Sequence, residues 1–144
     1  MSDKSARRDS RVIAIEAMFA YLAREERVSF DETFLHVLKE VEEKSVDEFA
    51  EKIVRAAVDN VKKIKVIIRA FAPDFPLNKI APINLAILVL GIAEMKFVGT
   101  PPVVVINEYI ELAKMFGEDK SAGFVNGVLD AFRKNIGLNR VDKK

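Results

Sequence analysis

Arg7, Arg8 and Arg11 fall at helical neighbour spacing near the start of the chain, with Lys4 just ahead of them. Arginine presents a planar fork that matches phosphate, and its plane can stack on a base. If the first helix begins early, the three guanidinium groups share one surface. The free backbone N–H groups of its first turn would then add a positive end for an anion. Asp3 and Asp9 dilute the cluster, so by composition alone it reads first as a solvated, frayed terminus. Catalysis has less to offer. Glu108 and Glu111 stand close on one helix, as acid–base chemistry asks of paired carboxylates. Exposed helix-face acids explain them better, because Lys114 follows Glu111 at ion-pairing spacing. His36 is the only histidine, which excludes a histidine dyad and a multi-histidine metal site. It lies off the apolar face of its helix and reads as a surface residue. No glycine-rich stretch follows a strand, so no phosphate loop is expected. The sequence therefore predicts no catalytic residue, no metal and no cofactor.

The elements that must position these residues are helical almost throughout. The chain has 144 residues, enough for one domain with a real core. Half of it is hydrophobic, 31% is charged, and the net charge is +1. Overall charge thus argues neither for nor against nucleic acid, and any basic patch must be local. The absence of cysteine excludes disulfides and zinc-finger chemistry and fits a reducing cytoplasm. No signal peptide opens the chain. The apolar run 85–93 is far short of the ~20 residues that a membrane span needs, and reads as a helix buried on nearly all sides.

Helix one is expected over about 10–24, with Ile15, Met18, Phe19 and Leu22 on its apolar face. Ser29 with Glu32 and Ser45 with Glu48 read as capping boxes for a second and a third helix. Ile64, Ile67, Ile68 and Phe71 continue the third, either unbroken or after a bend, until Pro73 and Pro76 stop it. A further helix covers 82–97 with proline in its first turn. The ends, 1–6 and 139–144, are polar and expected to be mobile.

Two amphipathic helices around a tight turn close the pattern. Ile106, Tyr109, Ile110, Ala113 and Phe116 mark one apolar face; Phe124, Val125, Val128, Leu129 and Phe132 mark the other. Gly117 sits where a left-handed C′ glycine would end the first helix, and Asp119 or Ser121 would cap the second. Asn107 and Asn126 read as amides bonded to neighbouring backbone in the hairpin. The series Ile106-Asn-Glu108, Glu111-Leu-Ala-Lys114, Phe116-Gly117 and Phe124-Val-Asn-Gly-Val-Leu-Asp130 is more specific than any period. It resembles the signature of the NusB family of bacterial transcription antitermination factors. The resemblance covers nearly the whole chain and is sharpest over 101–130. It implies an all-α bundle of about seven helices, a single domain over 1–144. Within it an N-terminal helical subdomain (about 7–72) would pack on a C-terminal one (about 77–138).

The resemblance also implies a function. The protein would be a cytoplasmic, non-enzymatic factor that binds boxA-type single-stranded RNA together with the ribosomal protein NusE. It would join the RNA polymerase antitermination complex and promote read-through in ribosomal RNA operons. Arg7, Arg8 and Arg11 match the family's arginine-rich segment, which contacts RNA. Phe19 stands where the family usually has a tyrosine near the RNA surface, and either stacks a base or packs inward. Lys120 replaces an acid in the turn before the last helix. Phe124, one turn on, either stacks or joins the core. Departures gather on the helix at 82–97. Asn84, Leu85 and Val89 replace charged residues on the family's partner-docking face. Two other readings remain. One is a helical interaction protein or homodimer that has lost RNA binding. The other is the detached RNA-binding domain of a ribosomal RNA methyltransferase, which asks for a methyltransferase domain this chain does not carry.

Overall fold

The run Leu85 to Ala93 has no polar face, so a helix formed from it can be stable only if surrounded. A computed structural model of the chain places it so. The structure describes the backbone of residues 3–23, 44–117 and 119–142, and side chains within 6–23, 48–117 and 120–136. Six α-helices lie in the described residues: α1 (Asp3–Ala23), α2 (Lys44–Asp59), α3 (Val61–Phe71), α4 (Pro82–Ala93), α5 (Pro102–Phe116) and α6 (Asp119–Asp142). A single 3₁₀ turn, Leu77–Lys79, precedes α4. The architecture is all-α, as the periodicity predicts. The expected second helix and His36 lie outside the described residues.

Helix α4 is in contact with each of the other five described helices. Its residues from Ala86 to Ala93 are all buried. Pro82 stands in its first turn, where the missing N–H costs nothing. Around α4, helix α1 packs on α2 and on α4 itself, and α5 pairs with α6. Ile15, Met18, Ile53, Ile64, Tyr109 and Leu129 come from five different helices into one contiguous core. The two ends of the chain are more helical than their polarity suggests, since α1 begins at Asp3 and α6 runs to Asp142.

Several local expectations change. The apolar face through 49–71 is interrupted. Asn60 leaves helical geometry at φ −122° and ψ 18°, and its side-chain amide donates to the Ala56 carbonyl at 2.8 Å. A short amide competing for backbone is what splits α2 from α3. Helix α2 opens at Lys44, so Ser45 falls inside its first turn rather than ahead of it. Helix α4 ends at Ala93, not 97, and a π-turn, Glu94–Val98, follows. In that turn the Gly99 N–H donates to the Glu94 carbonyl at 2.9 Å, and Gly99 takes the left-handed conformation at φ 91°. Gly117 does not: it is extended, at φ −137° and ψ −156°. Its lack of a side chain serves packing instead, because a Cβ there would lie 3.0 Å from Ser121 Oγ.

Gly91 does similar work between α4 and α6, where a Cβ would meet the two Leu129 methyls at 3.1 and 3.2 Å. Gly91→Val is expected to destabilise the protein by ~1–3 kcal/mol through overpacking. Gly123→Ala, with nothing within 4 Å of the added carbon, should be neutral or slightly stabilising. Urea denaturation midpoints of the two variants check this.

Candidate nucleic-acid interface

Helical spacing puts Arg7 and Arg8 one turn before Arg11 on the same side of α1. That side faces α2, the π-turn and α5. Arg11 is sealed there, only 2% exposed, and the Glu94 carboxylate opposite it is fully buried. The pair is bidentate: Arg11 Nε donates to Glu94 Oε2 at 3.0 Å and Nη2 to Oε1 at 2.5 Å. Arg11 Nη1 also approaches Glu108 Oε1 at 3.9 Å. Burial works against the Arg11 charge, but the Glu94 hydrogen bonds and charge outweigh it, and its pKa is raised. Arg11 is therefore not an accessible phosphate contact, contrary to the sequence expectation. It is an internal ion that holds α1 to the end of α4.

Glu108 also departs from expectation. Rather than standing on an open helix face, it is 6% exposed and accepts a hydrogen bond from Arg8 Nη2 at 2.7 Å. That bond raises the Arg8 pKa. Glu111 behaves as expected, exposed and 3.5 Å from Lys114. Tyr109 is fully buried beside the Arg11–Glu94 pair, and burial together with the Glu94 charge pushes its phenol well above the usual range.

Arg7 remains exposed. Its guanidinium lies 4.1 Å over the Phe49 ring of α2, a cation–π contact that Arg11 shares from 5.4 Å. Together the arginines open onto a cleft of about 780 Å³. Its far side is the loop Val98 to Pro101 and the first turns of α5, and Lys52 stands at its edge. The cleft thus gathers Arg7, Arg8 and Arg11, the last from beneath.

The other predicted positions are elsewhere. The side chain of Lys4 lies outside the described residues. Phe19 is 39% exposed on α1, so it is not a core residue, and it does not line the cleft. Lys120 is exposed in the first turn of α6. Phe124 is half-buried, edge-on to Phe75 with ring centroids 5.0 Å apart, beside a separate hollow of about 230 Å³. On α4, Val89 is fully buried and Asn84 nearly so, its amide donating to Ser121 Oγ at 3.2 Å. Neither presents a surface to a partner, whereas Leu85 stays half-buried. Asn107 and Asn126 are exposed rather than tied into the hairpin.

The sequence model of the NusB family matches residues 8–134. The chain belongs to the NusB family. Among curated NusB transcription antitermination proteins, that of Chloroherpeton thalassium is 36% identical over 129 residues, 88% of this chain and 60% of the relative. That of Bacillus licheniformis is 37% identical over 131 residues, 90% of this chain and 98% of the relative. This chain thus spans less than two thirds of some relatives and nearly all of others. A crystal structure of the antitermination factors NusB and NusE in complex with double-stranded RNA superposes with a TM-score of 0.83 at 28% identity, over 91% of this chain and 98% of that one. Thermotoga maritima NusB gives a TM-score of 0.81 at 29% identity, over 89% of this chain and 90% of that one. Both curated relatives are named as transcription antitermination proteins.

Sequence reasoning missed Glu94, Phe49, Lys52 and Asn107. Glu94 had a signal: a carboxylate closing an apolar run must find a cation or stay costly. Arg11→Ala is expected to cost ~3–5 kcal/mol by stranding that buried carboxylate, and Arg11→Met with Glu94→Leu should recover most of the loss. Denaturation midpoints of the three proteins decide it. The raised Tyr109 pKa has a sign as well. Stability from the protonated phenol is whole below its ordinary value of 10 and is lost as pH rises above it. Tyr109→Phe should therefore flatten the alkaline fall of stability above about pH 10, read from urea midpoints on either side.

Proposed function

We propose that this protein is a transcription antitermination factor that binds boxA-type RNA through the α1 arginine surface and acts together with NusE. What supports the reading is the pairing of a NusB fold with Arg7 and Arg8 held at the rim of an open cleft. Arg7 is exposed, Arg8 keeps part of its fork free, and both are oriented by ring and carboxylate contacts. Such groups bind phosphates without having to be ordered first. Phe19, open to solvent on the same helix, offers a stacking face farther along the strand. Lys120 adds a cation at the start of α6.

Single-stranded RNA is the preferred ligand in this reading, although the related NusB–NusE structure holds double-stranded RNA. Proteins read base identity where unpaired bases can be splayed out, whereas an A-form duplex offers mainly shape and backbone. NusE docks against the C-terminal helices, and the buried state of Asn84 and Val89 leaves Leu85 and its neighbours to supply an apolar contact with little salt dependence. Among the described residues no helix is long and apolar enough to cross a membrane. A cytoplasmic site of action follows from the proposed role.

The experiment is an RNA titration at several salt concentrations, with and without NusE. Each phosphate neutralised by the protein contributes roughly −0.7 to the log–log salt slope for a single strand. Replacing Arg7 and Arg8 together by Ala should weaken binding strongly and flatten the slope by roughly 1 to 1.5. Phe19→Ala should leave the melting temperature almost unchanged and cost ~1–3 kcal/mol of RNA affinity. Unaltered RNA affinity in the double arginine variant would refute the surface.

A further inference from the structure

The cleft beneath Arg7 contains more than phosphate binding requires. Building on the RNA-binding reading, we propose that it receives one unpaired nucleotide, with the base stacked on the open face of Arg7 and its edge met by Asn107. The Arg7 guanidinium lies 4.1 Å over the Phe49 ring, which holds the group against α2. Arg7 is exposed, so the guanidinium is also reachable from solvent. A guanidinium plane held in this way is a stacking platform for a base.

Part of the far wall is apolar. Val98, Pro101 and Val104 line it, and Val104 is 45% exposed. An apolar wall adds nothing to a phosphate, whereas a base gains by leaving water against it. The volume of about 780 Å³ falls within the roughly 300–1,000 Å³ usual for small-ligand pockets. That is room for one nucleotide, and a base must leave its duplex to enter. The two acids at the cleft do not bar a phosphate, because Glu108 is engaged by Arg8 and Glu111 lies 3.5 Å from Lys114. Lys52 stands at the edge as a cation for the backbone. Asn107 lines the cleft and is exposed; its amide both donates and accepts, as two hydrogen bonds to a base edge require. An acidic peptide would use Lys52 and Arg7 but neither the stacking plane nor the amide.

The test is a cycle of two changes. Val104→Trp fills the cleft from an exposed position, and a melting curve establishes that the variant folds. A 12-nucleotide boxA-type RNA is made abasic at one position at a time and titrated against both proteins. Removing the base that enters the cleft is expected to weaken binding to the unmodified protein about tenfold, and binding to the variant hardly at all. Asn107→Ala should relax base preference at that position alone. If the unmodified protein binds RNA and Val104→Trp binds it equally well, the cleft proposal is overturned while the RNA reading stands. The same holds if Val104→Trp loses NusE and keeps RNA, which would assign the cleft to a protein partner. No RNA binding by the unmodified protein overturns both.

Discussion

The buried ion pair between Arg11 and Glu94 is the interaction on which the rest of the candidate surface depends. Two full charges have been taken out of water, and the bidentate geometry is what makes that tolerable. Such a pair adds little net stability relative to well-packed apolar residues. What it fixes is orientation. The Glu94 carboxylate stands at the end of the most buried helix, and only one rotation of α1 brings the Arg11 fork to it. With Arg11 held, Arg7 and Arg8 are carried to the same side by helical geometry alone. The accessible cations are therefore positioned by an inaccessible one.

Support for the surface spreads outward from α4. Because that helix is apolar all round, every neighbour that covers it is placed by it. Helix α2 brings Phe49 under Arg7. The π-turn after α4 widens the backbone, and Gly99 in the left-handed conformation lets the chain reverse into Pro101 and α5. Helix α5 then returns Glu108 to Arg8 and sets Asn107 on the opposite side of the cleft. A site on loops would need to be ordered on binding. This one is built almost wholly on helices whose packing already orders it.

Much of this was legible in the sequence, and the reasons differ by element. The helical faces of α5 and α6 follow from periodicity, and the burial of α4 follows from its lack of any polar stripe. That Arg7 and Arg8 share one side of α1 could be read from type and spacing. The fate of Arg11 could not, because its partner lies eighty-three residues away and long-range pairing leaves no local period. Glu108 misled for the same reason: on its own helix it looks like any surface acid. The break at Asn60 and the extended Gly117 were hidden by local ambiguity, since amides tolerate several conformations and glycine tolerates nearly all.

The contact between Arg8 and Glu108 has a consequence for selectivity. Arg8 carries a resident counter-ion within the protein. An arriving phosphate does not meet a bare cation; it must share or displace a carboxylate 2.7 Å away. Only the excess of the phosphate contact over the carboxylate contact is gained. A polyanion that merely brushes the surface gains almost nothing, while one placed well enough to reach both Arg8 and Arg7 gains from each. The chain's near-neutral charge acts in the same sense. Any polyanion that reaches Arg8 must therefore compete with an acid of the protein's own, which favours fit over raw attraction.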